Sequence, residues 1–121
     1  MKKPFSILER IKSFGPAFKG LKLLFVHEHN AWVHLLATVV VISLGIGFNI
    51  NISEWIALSI VIGLVFLSEL FNTAIERLAD KVEPNWDQLI GEVKDYASAA
   101  VLIASILAVI VGGIIFLPKT M

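Results

Sequence analysis

The chain has 121 residues, a formal net charge of zero and no cysteine, and 57% of its residues are hydrophobic. That length holds one domain, and the lack of cysteine excludes disulfides and thiolate metal sites. So apolar a composition excludes an ordinary soluble domain and points to an integral membrane protein. We read residues 1–121 as a single all-α membrane domain, with three transmembrane helices and an N-terminal amphipathic surface helix.

Residues 5–27 predict the amphipathic helix. Ile7, Ile11, Phe14, Phe18, Leu21 and Phe25 recur by four and three and make one apolar stripe, with Lys12, Lys19 and Lys22 off it. Such a helix lies in the headgroup plane with its lysines at lipid phosphates. Gly15-Pro16 is expected to kink or split it. Its basic residues are spread over many positions rather than leading a short apolar core, unlike a cleaved signal peptide.

The first span is expected at 31–50, with Trp32 at its interfacial start. The second is expected at 54–75, with Ser53 as its N-cap and Trp55 at the opposite interface, and its helix continues to about Val82 before Pro84 stops it. Asn85 reads as the next N-cap, with Gln88 as a capping-box-like partner. The third span is expected at 97–117, closed by Pro118. Ala100, Ala104, Ala108 and Gly112 form a small-residue ladder on it for close helix packing.

Lysine and arginine set the topology. Lys2, Lys3, Arg10, Lys12, Lys19 and Lys22 crowd the N-terminus, and Arg77, Lys81 and Lys94 fall in the 76–96 connection. The 49–53 turn has none. The positive-inside rule then places the N-terminus and the 76–96 connection in the cytoplasm.

Against this apolar background, Glu69, Asn72, Glu76 and Asp80 share one face of the second helix. An ionisable group at the centre of a span costs about 2.5–3.5 kcal/mol on insertion scales. At a rise of ~1.5 Å per residue, Glu69 lies ~10 Å inside the cytoplasmic boundary and Glu76 at that boundary. Glu28 just precedes the first span, and Lys94 and Asp95 just precede the third, so all of them converge on one layer. Glu28, Glu76 and Asp95 are candidates to hold a hard divalent cation such as Mg²⁺. Lys94 is a candidate to offset charge on a transferring phosphoryl group. Glu69, in a low-dielectric layer, is suited to accept a proton from a lipid hydroxyl. Alternatives stand beside these readings. Glu69 could line a proton or ion path in a non-enzymatic oligomer, or the polar stripe could serve assembly of a membrane scaffold. His27, His29 and His34 have no recognised zinc spacing and read as surface or interfacial histidines. No P-loop, no G-x-G-x-x-G and no basic-aromatic pattern for nucleic acid is present.

Glu69-Leu70-Phe71-Asn72-Thr73-Ala74-Ile75-Glu76-Arg77-Leu78-Ala79-Asp80 resembles the signature E-x-x-N-S/T-A-I-E-x-x-x-D of the small prokaryotic diacylglycerol kinase family. Lys94-Asp95-Tyr96-Ala97-Ser98 through Leu102 is a second match, and Phe18-Lys19-Gly20-Leu21-Lys22 followed by Glu28-His29-Asn30 is a third. The resemblance implies a membrane-embedded lipid kinase, using ATP and Mg²⁺, assembled as a homotrimer with sites shared between protomers. By that likeness Glu69 is the general base with Asn72 beside it, and Glu28 and Glu76 are the metal-binding acids. Lys94 and Asp95 lie around the nucleotide, and Arg10, Lys12 and Lys19 help to hold it. Val93 stands where the family usually has alanine. Ser98-Ala99-Ala100-Val101 resembles the diacylglycerol-using branch, whereas Asn72-Thr73-Ala74 and Glu28-His29-Asn30 with His34 resemble the branch containing undecaprenol kinases. Diacylglycerol is the expected acceptor, with undecaprenol as the alternative.

Overall fold

The computed structural model describes residues 3–121; Lys2, counted above in the basic N-terminus, lies outside them. Five helices follow one another: α1 (Ile7–Lys12), α2 (Phe14–His27), α3 (His29–Gly47), α4 (Ile52–Val82) and α5 (Gln88–Thr120). The last three are each long and apolar enough to cross a membrane. At ~1.5 Å per residue, α4 and α5 exceed the ~30 Å hydrocarbon core, so both carry a helical extension beyond it.

The amphipathic segment is split, as expected, but at Ser13 rather than at Gly15-Pro16. The shift has a direct cause. A proline's missing N–H and its ring act on the carbonyl four residues earlier, here Lys12. Phe5, Ile7, Ile11, Phe14 and Phe18 face no other part of the chain, as suits a helix pair resting on lipid. Further on, α2 docks: Leu24 is buried, and the Phe25 ring meets Trp32 edge-on at 5.2 Å and Phe66 at 6.2 Å. Trp32 Nε1 also donates to the Phe25 carbonyl at 2.8 Å.

Glu28 is the elbow between α2 and α3. Its backbone is extended (φ −118°, ψ 114°), ending α2 and starting α3 at His29. The first span therefore begins and ends a little earlier than 31–50. Asn49 at its far end has φ 52°, a left-handed conformation that asparagine tolerates better than most residues.

Three cap assignments differ from expectation. Asn51, not Ser53, caps α4. Its Oδ1 accepts from Glu54 N at 2.9 Å, and Glu54 Oε1 accepts from Asn51 N at 3.0 Å. That capping box satisfies two donors at once. Asp87, not Asn85, caps α5 by accepting from Ile90 N at 3.0 Å; Asn85 N instead donates to Glu83 Oε1. Nor does Pro118 close α5, which runs to Thr120. A proline in the last turn forfeits a single backbone bond, and Lys119 Nζ ties that turn to Glu54 Oε2 at 3.0 Å.

α4 and α5 form the principal helix pair, and α3 leans on α4 more lightly. Their core lies at the end remote from Glu28, where Ile50, Leu58 and Ile115 are buried beneath Trp55 and Phe116. The small-residue ladder is only partly the contact. Ala97 and Ala104 are buried, whereas Ala100 is exposed. Strict i+4 spacing drifts by roughly 40° per step around a helix of 3.6 residues per turn, so one such row cannot stay on one seam.

Gly45 packs against this core. A Cβ there would lie 2.7 Å from Trp55 Cη2 and 3.1 Å from Ile50 Cδ1. Because the Trp55 ring is rigid and hemmed in, Gly45→Ala is expected to cost about 1–3 kcal/mol through overpacking. A lowered thermal midpoint of the purified protein would report it; an unchanged midpoint would show that the Trp55 ring yields freely.

Candidate functional site

Near the elbow end, α3, α4 and α5 diverge around a polar cavity of about 440 Å³. Glu28, Asn30 and His34 line it from the elbow and α3, Glu69, Asn72 and Glu76 from α4, and Ser98 and Ser105 from α5. Depth counting divides the polar stripe of α4 after Asn72, whereas the cavity divides it after Glu76. The stripe's first three members reach the cavity, and Asp80 lies exposed beyond it.

Glu69 is the most deeply placed of these acids, 1% exposed. Its Oε1 lies 3.0 Å from His34 Nε2. An ionised carboxylate only accepts hydrogen bonds, so against Glu69 in that form Nε2 carries the proton and donates it. The His34 ring stands edge-on to Phe66 at 6.4 Å, and Phe66 in turn meets Phe25 of α2. An aromatic chain therefore runs from the surface helix to the buried carboxylate.

Asn72 Oδ1 and Thr73 Oγ1 are buried without a hydrogen-bond partner. An orphaned amide oxygen costs free energy unless something binds it, and Asn72 borders the cavity beside Glu76. Among the described residues, no three histidine, aspartate or glutamate side chains gather closely enough to hold a metal by themselves. Besides Glu69, which is bonded to His34, the cavity offers two carboxylates, Glu28 and Glu76, with the Asn72 amide oxygen. That set of hard oxygens fits an ion such as Mg²⁺, which commonly takes one or two carboxylates and completes its shell from phosphate and water.

Not every expected site residue reaches the cavity. Lys94 Nζ pairs with Asp80 Oδ1 instead, joining α5 to α4 beyond the cavity. Asp95 is exposed beside it, and Arg10, Lys12 and Lys19 are exposed on α1 and α2 and line no part of the cavity. Asp80 thus takes its cation from α5 rather than from Arg77 on its own helix. Conversely, His34, expected as an interfacial histidine, lines the cavity, as do Ser98 and Ser105, to which the sequence assigns no role. Depth could have found His34: six residues past Glu28 is ~9 Å at helical rise, the level of Glu69.

A second, apolar groove of about 210 Å³ runs along Ala37, Val41, Leu58, Val61, Ala108 and Gly112. His34 and Ser105 line both. The fold and these neighbouring cavities define a helical integral membrane protein with a carboxylate-rich site at one end of its bundle, beside an apolar groove.

A family model of prokaryotic diacylglycerol kinase matches residues 15–116. The chain is 35% identical over 108 residues to an undecaprenol kinase of Bacillus subtilis, covering 89% of this chain and 88% of that one. It is 32% identical over 100 residues to a diacylglycerol kinase of Escherichia coli K12, covering 83% and 82%. It is also 36% identical over 107 residues to a diacylglycerol kinase of Synechocystis, spanning 61% of that longer protein. The chain belongs to the prokaryotic diacylglycerol kinase family and is a membrane lipid kinase with ATP as co-substrate.

Proposed function

We propose that the polar cavity is where this kinase passes the γ-phosphate of ATP to the hydroxyl of a membrane lipid, with Glu69 as general base. The observation that carries this reading is that His34 and Ser105 line both the polar cavity and the apolar groove. A lipid chain lying in the apolar groove brings its hydroxyl beside Glu69, with Glu28 and Glu76 on the wetter side. Glu69 accepts the hydroxyl proton, the lipid oxygen bonds to the γ-phosphorus, and ADP departs with the bridging oxygen. Little covalent work falls to the protein, and positioning and charge compensation do the rest. Glu28, Glu76 and Asn72 Oδ1 would hold Mg²⁺, which supplies neutralisation of phosphate charge when bound. Lys94 exchanges Asp80 for phosphate as nucleotide arrives, with Asp95 nearby.

Arg10, Lys12 and Lys19 stay outside the cavity of their own chain, which suits a homotrimer in which a neighbouring protomer's basic residues complete the nucleotide site. The lysine and arginine asymmetry supports the cytoplasmic membrane, with the N-terminus in the cytoplasm.

For the acceptor, undecaprenol moves ahead of diacylglycerol once His34 is a site residue. His34 belongs to the pattern shared with the undecaprenol branch, and its partner Glu69 is buried. Undecaprenol brings one chain and one polar group to that depth, whereas diacylglycerol would draw two ester groups toward hydrocarbon. Diacylglycerol, the acceptor expected from the sequence, becomes the second reading, favoured by Ser98-Ala99-Ala100-Val101, whose Ser98 lines the cavity. Purified protein given radiolabelled ATP and both lipids in equal amounts is expected to label undecaprenol faster. Preferential labelling of diacylglycerol would reverse the order.

A further inference from the structure

Resting on the reading of Glu69 as base, we propose that His34 is its positioning residue: the imidazole Nε2–H holds Glu69 Oε1 and leaves the other carboxylate oxygen to take the lipid proton. Three observations meet at this residue. The 3.0 Å contact joins side chains 35 positions apart, on different helices, and among the described residues His34 is the only side chain bonded to Glu69. The ring is also held by packing, edge-on to Phe66, which is itself backed by Phe25 of the surface helix. And His34 lines both the polar cavity and the apolar groove, where an acceptor hydroxyl must pass.

A buried carboxylate without a donor has two equivalent oxygens and a freely chosen rotamer. Fixing one oxygen selects the other as acceptor and fixes its distance to the incoming hydroxyl. A misplacement of about 1 Å can cost on the order of 10²-fold in rate. Histidine suits the place because its neutral ring offers a directed N–H without adding a permanent charge to the span. The distance from the surface helix to Glu69 is bridged by Phe25, Phe66 and His34 in turn, so docking of α2 also contributes to the ring's placement.

The test uses the full-length protein in lipid and three variants. Glutamine sets an amide nitrogen close to where His34 Nε2 stands, so His34→Gln is expected to keep kcat within about threefold of wild type, since it retains the donor. His34→Leu is expected to lower kcat about 10- to 100-fold with KM for ATP unchanged, because the nucleotide side of the cavity is untouched. Glu69→Gln is measured alongside. Glu69→Gln inactive with His34→Leu near wild type would overturn the positioning role and leave the base in place. Glutamine and leucine equally damaging at position 34 would also overturn it, because the donor would then not matter. An active Glu69→Gln would instead remove the base reading on which it rests. Should the leucine variant fail to fold, a glutamine variant with kcat reduced tenfold or more would by itself be decisive against the proposal.

Discussion

Glu69→Gln is expected to leave a folded, membrane-inserted protein whose phosphoryl transfer is lower by about 10²–10⁴-fold, the range for removal of a general base. The substitution is nearly isosteric, and the amide oxygen can still accept from His34 Nε2, so the cavity and the α3–α4 contact persist. What disappears is the capacity to take a proton. KM for ATP is expected to stay near wild type, because the proposed reading sets Glu69 at the acceptor and leaves the nucleotide to Glu28 and Glu76. The thermal midpoint is expected to hold or rise. A neutral amide at a position 1% exposed is easier to bury than a charge, and sites built for chemistry commonly trade stability for function. Single-turnover transfer and a melting curve on the same preparation check both halves. Near-normal transfer would move the base elsewhere, and a collapsed melting curve would make Glu69 a structural group.

Glu76→Gln is expected to lower transfer by about 10²-fold, since a metal ion contributes several kcal/mol of transition-state charge stabilisation and ~1.4 kcal/mol is a factor of ten. Its signature should differ from that of Glu69→Gln. The Mg²⁺ concentration giving half-maximal rate is expected to rise, with partial recovery at high Mg²⁺, because Glu28 and Asn72 still offer oxygens. Asp80→Asn, four residues further along the same face, is a useful contrast. Asp80 lies outside the cavity and pairs with the half-exposed Lys94, and exposed ion pairs are worth only about 0–1 kcal/mol. It is expected to leave the Mg²⁺ midpoint unmoved. A Mg²⁺ titration on the two variants discriminates: an unchanged midpoint in Glu76→Gln would take Glu76 out of the metal site.

Much of this was legible before any coordinates. Three spans and a surface helix follow from run length and apolar stripe, and α4 ends at Val82 as Pro84 requires. The helix starts were less legible, because each was decided by a reciprocal bond rather than by residue type. Ser53 is a good cap in isolation, but Asn51 and Glu54 satisfy each other. Likewise, Asn85 yields to Asp87, whose side chain meets the Ile90 amide.

The candidate site divides in the same way. Depth along a helix axis accumulates at about 1.5 Å per residue regardless of neighbours, so spacing alone assigns Glu28, Glu69, Asn72, Glu76, Lys94 and Asp95 to one layer; the first four line the cavity, whereas Lys94 and Asp95 stay outside it with Asp80. Rotation about the axis is another matter. It advances by roughly 100° per residue, and its origin for each helix is set by how that helix packs. Only the tertiary structure could therefore decide that His34 turns to Glu69, that Lys94 turns to Asp80, and that Ser98 and Ser105 face the cavity while Ala100 does not. The stripe on α4 announced a site; the helix facing it supplied the imidazole that bonds its buried carboxylate.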